Sequence, residues 1–528
     1  MQMSSGYQSL VCPEGQNDPD ADTDDTTETT PLYGQTKSEN TNSYTGGANA
    51  NSSNGEQTKK ANTLMSRLFG AKIKQAKHRT CISDGDIDER NITQPIDHAL
   101  LNNDDDAERD KQSISNSSAI INLLKGSIGT GILAMPDAIK NSGLVVGPIG
   151  LVVISVICVF SMHMLVDCAQ ILSSRTQKPF MDYADVAEHA FSTMGPRAGR
   201  FGKPARRTIN IFLCIAQIGF CSVYMVFIGE NLKLVIDYHL GTNIDQTIYM
   251  AGTLLPLFLL CSIRSLKRLS PVSMMANILQ LTSLGIIFYY LVQHMIPTWE
   301  RKLYADLDQY PLFFGTAIYA FEGIGVLLPL ENKMRTPRAM RSWNGVLNTT
   351  ISIMTCLYVS TGVLGYLRYG EDVEGAITLN LAVEESLAQV AIIMYTVAVF
   401  FTYAIQLYVP VEIILPEIKS RVPERFALLA EYILRYGLVL VSFTLAAIIP
   451  ELDLFISLVG SVCLSTIALI APSILHSVTY WNELSNNPTG RMRLGLNAFI
   501  SFVGFAGFLA GGYTSLEEII TYFSSGVE

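Results

Sequence analysis

From Ser118 onward, apolar stretches of about 20 residues alternate with short polar ones, and each is long enough to cross a hydrocarbon core about 30 Å thick. The pattern predicts spanning helices at roughly 118–140, 144–172, 207–238, 246–263, 271–295, 309–331, 342–368, 386–416, 428–448, 453–475 and 494–512. Loop charge tests this division independently. With a cytoplasmic N-terminus, the inner loops 173–206, 264–270, 332–341, 417–427 and 476–493 hold 6, 3, 4, 3 and 2 Lys+Arg. The outer segments 239–245, 296–308, 369–385, 449–452 and 513–528 hold only Arg301 and Lys302. A miscounted helix would scramble that alternation. The expectation is an all-α polytopic membrane protein with about eleven spans in residues 118–512 and a short extracytoplasmic tail, 513–528.

Residues 1–117 read differently. Residues 1–58 are rich in Ser, Thr, Asn, Gly and Asp, a composition that cannot bury enough apolar area to offset ordering entropy. A disordered cytoplasmic tail is expected. Residues 59–79 carry Lys59, Lys60, Arg67, Lys72, Lys74, Lys77 and Arg79 without an acid. Leu64, Leu68, Phe69 and Ile73 interleave with them, so this segment is either a membrane-surface helix or a solvated basic stretch. The stretch 179–191, in the longest inner loop, is either a short interfacial helix or a plain connection.

Composition agrees with lipid as the solvent. Charged residues make up 16% of the chain against about 25% in soluble domains, and mean hydropathy is +0.28. The net charge of −10 belongs mostly to the tail, where 11 Lys+Arg face 19 Asp+Glu. Neither part resembles a nucleic-acid binder. The nine cysteines form no C-x-x-C pair and no Cys/His cluster, so neither a metal site nor another cofactor is expected.

Two spans carry internal breaks. The first places Gly126, Gly129, Thr130 and Gly131 at its centre, and glycine weakens a helix by roughly 1 kcal/mol each relative to alanine. Unwinding inside a bilayer is tolerated only beside protein or a cavity. The sixth span repeats the device at Phe321-Glu322-Gly323-Ile324-Gly325. Similar text follows both breaks: Gly131-Ile-Leu-Ala-Met-Pro136 and Gly325-Val-Leu-Leu-Pro329, with Lys140 and Lys333 each four residues beyond the proline. Spans 1 and 6 correspond in a five-plus-five repeat, and matched breaks point to a midplane site. A half-helix starting near Thr130–Ile132 offers N–H groups to a carboxylate. The half-helix ending near Tyr319–Phe321 offers carbonyls to an ammonium. The bland alternative is close packing of helices through small residues.

The chain resembles the proton-assisted amino acid transporters of the amino acid/auxin permease family. The likeness rests on Leu124-KGSIGTGILAMP-Asp137, Ser161-MHMLVDC-Ala169, Gly219-FCSVYMVFI-Gly229, Tyr319-AFEGIGVLLPLENKM-Arg335 and Phe400-FTYAIQLYVPVEI-Ile414. It spans nearly all of residues 118–512 and leaves the tail uncovered. The resemblance implies a LeuT-like five-plus-five inverted repeat with one extra helix and broken helices 1 and 6. It also implies transport of small neutral amino acids such as alanine, glycine and proline. By analogy, the backbone around Gly129–Gly131 and Phe321–Gly323 would hold substrate, with Tyr224 and Phe401–Tyr403 lining the pocket. One departure concerns protons. Relatives carry a histidine on the first helix where this chain has Asn122, which hydrogen-bonds but does not titrate near neutral pH.

Intramembrane ionisable groups count as functional candidates. Glu322, inside the second break, is either a proton carrier or a clasp that bonds freed backbone groups. His163 matches the family's second-helix histidine and is either a substitute coupling group or a satisfied buried histidine. Lys125, one residue before the first break, either pairs with a carboxylate or snorkels. Two functions from different classes follow: a secondary transporter, or an amino-acid sensor whose tail signals to cytoplasmic partners. No nucleophile–base pair or phosphate loop suggests an enzyme. Tyr7-Gln-Ser-Leu10 and Asp97-His-Ala-Leu-Leu101 fit sorting signals for traffic between plasma membrane and late endosomes or lysosomes. The sequons at Asn51, Asn91 and Asn116 should stay unglycosylated if the tail is cytoplasmic.

Overall fold

The computed structural model describes residues 114–178, 180–293, 301–449 and 451–525. Residues 1–113, including the basic stretch 59–79, lie outside the described residues, whereas 114–117 of the expected tail lead into and begin the first helix. Among the described residues the chain is all helical, without strands.

The first segment is broken as expected. Helix α1 (Asn116–Ser127) starts at Ser115, whose Oγ accepts the Ser118 N–H at 3.2 Å. Backbone at Ile128 and Gly129 is non-helical, a 3-10 turn spans Thr130–Ile132, and α2 (Met135–Lys140) resumes with Pro136 in its first turn. Helix α3 (Val146–Thr176) follows. The stretch left open in the longest loop forms a helix, α4 (Tyr183–Met194), started by a reciprocal capping box between Asp182 and Asp185.

Next come α5 (Gly202–Leu240), α6 (Gln246–Cys261) and α7 (Leu266–Leu291). The sixth segment splits into α8 (Tyr310–Ala320) and α9 (Ile324–Glu331) around Phe321–Gly323. Helices α10 (Val346–Tyr369), α11 (Ser386–Lys419) and α12 (Ala427–Ile448) precede α13 (Leu452–Thr479), whose middle, Gly460–Ile470, widens into a π-helix. The carbonyl of Ile467 in that wide stretch accepts from Tyr183 Oη on α4 at 2.6 Å.

Nine helical segments among the described residues are long and apolar enough to cross a membrane, with α8–α9 counted as one. The remaining two of the eleven expected spans are α6, an apolar helix of 16 residues, and the broken first segment. The last helix differs from expectation. Helix α14 (Pro488–Ser525) continues through residues assigned to a tail from 513, because this extension has packing partners. Ile519 packs with Leu312 and Leu454, and Ser515 Oγ donates to Ser457 Oγ at 3.1 Å.

Helices α5, α8–α9 and α13 are the most enclosed; α7, α12 and α14 are the least. Large apolar side chains stand on the outside, Leu255 and Leu259 each 68% exposed. A bilayer is the solvent that suits such a surface. The two breaks lie among the enclosed helices, and α7, exposed along much of its length, also reaches the first break.

Candidate functional site

The two breaks meet. Thr130 Oγ1 and Tyr319 Oη lie 3.0 Å apart, bonding the 3-10 turn of the first break to the end of α8. A Cβ on Gly131 would stand 2.7 Å from Ala320 Cα, so only glycine lets these backbones approach this closely. A Cβ on Gly323 would lie 2.7 Å from Ser127 Oγ, and one on Gly129 3.1 Å from Tyr224 Oη. Gly126 sits one turn earlier, with Val326 opposite it.

Unwinding frees carbonyls, and side chains from α7, α10 and α11 take them up. Tyr358 Oη lies 2.9 Å from Ala320 O and 3.2 Å from Ser127 O, bridging the two breaks. Gln280 Nε2 donates to Ile128 O at 2.8 Å, and Tyr395 Oη to Gly129 O at 2.8 Å. This corrects the expectation of free carbonyls near Tyr319–Phe321: the Ala320 carbonyl is taken, and Tyr319 O accepts the Glu322 N–H at 3.3 Å. The Ala320 carbonyl keeps a second lone pair for an ammonium, whereas Tyr319 O also takes the Phe321 N–H. On the donor side, Gly129 and Gly323 open their helical turns without a side-chain cap.

Glu322 is 8% exposed, and its carboxylate accepts the Gly325 N–H at the start of α9. This bond takes up one N–H in the first turn of the second half-helix, the contact expected of a clasp. Two buried polar atoms beside it lack partners among the described residues, Ser127 Oγ and Gln217 Oε1. Gln217 Nε2 reaches within 3.8 Å of the Cβ position of Gly325. Hydroxyl, amide and carboxylate thus gather where the half-helices part.

The other expected residues divide. Tyr224 belongs to the site, its hydroxyl accepting from Gln406 Nε2 at 3.3 Å. Phe321 is buried with its ring 5.2 Å from that of Tyr358. Tyr403 turns away: its hydroxyl lies 2.6 Å from Ser442 Oγ on α12. Phe401 is half-buried beside Phe400. His163 Nε2 lies 2.8 Å from Asn348 Oδ1 on α10, and it is Met162 that comes near Gly323. Asn122 is exposed, off the buried face of Ala119, Leu123 and Ser127, and so does not join Glu322. Lys125 is exposed too. Sequence reasoning missed Ser127, Gln217, Gln280, Tyr358, Tyr395 and Gln406. Their only signal was polar atoms within apolar runs, which gives no address for the partner.

Residues 112–517 match the family described as transmembrane amino acid transporter protein. The chain is 37% identical over 435 residues to proton-coupled amino acid transporter-like protein pathetic of Drosophila melanogaster, covering 81% of this chain and 91% of that one. It is 28% identical over 423 residues to probable amino acid transporter skat-1 of Caenorhabditis elegans, covering 78% and 91%. Among solved structures, the crystal structure of MhsT in complex with L-phenylalanine aligns with TM-score 0.41 and 13% identity, over 76% of this chain and 99% of that one.

Proposed function

The chain belongs to the transmembrane amino acid transporter family, and from that premise we propose that it carries small neutral amino acids by alternating access between its two broken helices. The observation that carries this reading is the meeting of the breaks, with Thr130 bonded to Tyr319, and with Ser127 Oγ and Gln217 Oε1 near Gly323 and Gly325 without partners among the described residues. A zwitterion needs an anion-binding end and a cation-binding end within a few ångströms. The N–H groups at Gly129–Ile132 supply the first. The second comes from Glu322 with the carbonyl of Ala320. Contact between Gly131 and Ala320 leaves little width, which favours alanine, glycine and proline over larger side chains.

Glu322 is the coupling group in this reading, ahead of Asn122 and His163. A charged carboxylate is a stronger acceptor than a neutral carboxyl, so protonation weakens its bond to the Gly325 N–H. Proton uptake and the seating of α9 are thereby linked. We place the N-terminus in the cytoplasm, count eleven crossings, and assign the protein to the plasma membrane and endolysosomes on its sorting signals.

Flux of labelled alanine, glycine and proline into liposomes holding the full chain tests this. Saturable accumulation that rises as the outer side is acidified is expected for the wild type. The pH dependence should flatten in Glu322→Gln and stay unchanged in Asn122→His. Saturable binding without accumulation would sink transport; equal pH dependence in all three proteins would remove Glu322 from coupling.

A further inference from the structure

Away from the breaks, three cations converge on one deep carboxylate beside the end of α6. Glu431 on α12 has a side chain 4% exposed. Arg264 grips it twice, Nε to Oε1 at 2.9 Å and Nη2 to Oε2 at 2.8 Å. Arg435 Nη2 donates to Oε1 at 3.2 Å, and Lys419 Nζ lies 3.5 Å from Oε2. One carboxylate cannot neutralise three cations. The second acid on the cleft, Glu412, is exposed and leaves the group with one net positive charge.

The donors are not used up. Arg264 spends Nε and Nη2 on Glu431 and keeps Nη1. Arg435 gives Nη1 to Cys261 O at 3.3 Å, yet its Nε has no partner among the described residues although the side chain is only 4% exposed. Arg435 lines the cleft together with Arg264 and Lys419, and an anion seated there from outside the chain would offset their surplus charge and offer acceptors to their remaining N–H groups. The cleft holds about 380 Å³, and Leu415 and Pro416 make one wall apolar. Beyond Arg264 and Lys419 themselves, loop 264–270 adds Lys267 and Arg268 with no acid, whereas in 417–427 Arg421 and Arg425 are matched by Glu417 and Glu424, so the surplus of the sign that draws anionic headgroups lies on the first loop.

We propose that this cleft binds the phosphate group of an anionic phospholipid, with Arg264, Lys419 and Arg435 donating to its oxygens and an acyl chain lying on Leu415 and Pro416. Phosphate is the shared chemistry, and the lipid is the source that the apolar wall favours. If the cations served only to neutralise Glu431, lipid charge would not matter.

Native mass spectrometry of the detergent-purified full chain tests this with phosphatidylserine, phosphatidylcholine and inorganic phosphate as probes. Phosphatidylserine should bind more tightly than phosphatidylcholine. Lys419→Gln should weaken it about fivefold, the effect of one basic side chain near an anionic headgroup. That side chain is half-exposed and touches Glu431 only at 3.5 Å, so its loss leaves the fold intact. Glu412→Gln removes the opposing charge and should tighten phosphatidylserine binding. Equal binding of the two lipids, or phosphatidylserine binding unmoved by both variants, overturns the site. Inorganic phosphate bound where neither lipid binds overturns the lipid source.

Discussion

Gly131 has no room for a methyl group, because the atom that a Cβ would meet at 2.7 Å is backbone, Ala320 Cα. Gly323 faces a movable oxygen instead, Ser127 Oγ. Gly131→Ala should therefore cut alanine uptake by more than tenfold at normal surface expression, while Gly323→Ala costs several-fold less; initial rates at equal expression separate the two. Tyr358→Phe leaves two buried carbonyls without their shared donor, a loss of roughly 1–3 kcal/mol. Both its Tm and its uptake should fall. Tyr403→Phe breaks only the bond to Ser442, so its Tm should fall with the KM for alanine unchanged. The glycines were legible because three within six residues of an apolar helix are hard to explain otherwise. Tyr358 was not, since its partner Ser127 lies 231 positions away and tyrosine suits any lipid-buried helix.

Helix α4 shows what a single carboxylate does for an element. Burial pushes the Asp185 carboxyl up, but the Lys178 ammonium, the Asp182 N–H and Arg206 outweigh it and hold the group below its ordinary value. Lys178 Nζ and Arg206 Nη1 approach at 2.6 and 2.8 Å. A depressed folded-state value means stability that is present above the unfolded carboxylate value, about 3.9, and lost only as pH falls through the folded one. Between pH 7 and pH 5, the protection against hydrogen exchange that Asp185 gives 183–194 should stay constant once rates are corrected for the intrinsic pH dependence of exchange. Asp185→Asn should raise that exchange by about tenfold, for a loss of ~1.5 kcal/mol. It should also loosen Tyr183 from the π stretch of α13. The acids of the box were visible in the sequence. The choice between helix and loop was not, because it rests on Tyr183 finding Ile467, 284 positions on. Helix α14 overran its expected end for the same reason: its polar stretch Thr514–Glu518 reads as a tail until Ser515 and Ile519 meet their partners.

Across the whole bundle, the broken helices are fastened at both ends, and the proposed alternating access would require one fastening to open at a time. At the inner end, Ile114 N–H donates to Lys333 O at 2.9 Å and Arg335 N–H to Ile114 O at 3.0 Å, tying the entry of α1 to the exit of α9. Gln170 Nε2 donates to Glu331 Oε1 at 2.6 Å, and Arg341 Nε lies 2.7 Å from Asp167 Oδ1, tying that exit to α3. At the outer end, Lys140 Nζ donates to Val373 O and Ile377 N–H to Leu133 O, both at 2.9 Å, joining α2 to the segment after α10. The inner and outer ends are named as in the proposed topology, which rests on loop charges, and the repeated Lys140 and Lys333 lie one at each end. The partners of those ends, Asp167 and Gln170 on α3 and Val373 in the segment after α10, lie far along the chain and carried no mark. Two substitutions separate gate from scaffold. Arg341→Gln removes one partly exposed ion pair, about 1 kcal/mol, and leaves the backbone ties intact. It should favour the state open at the inner end about fivefold. Lys140→Gln should favour the opposite state. Ser127→Cys places a thiol at the meeting of the breaks, where Ser127 Oγ has no bond to lose among the described residues. Labelling by an impermeant thiol reagent, read by mass spectrometry on the peptide carrying residue 127, should speed up from the inner side with Arg341→Gln and from the outer side with Lys140→Gln. If both substitutions speed labelling from the same side, the ties hold the fold together without gating it, and the site opens by some other route.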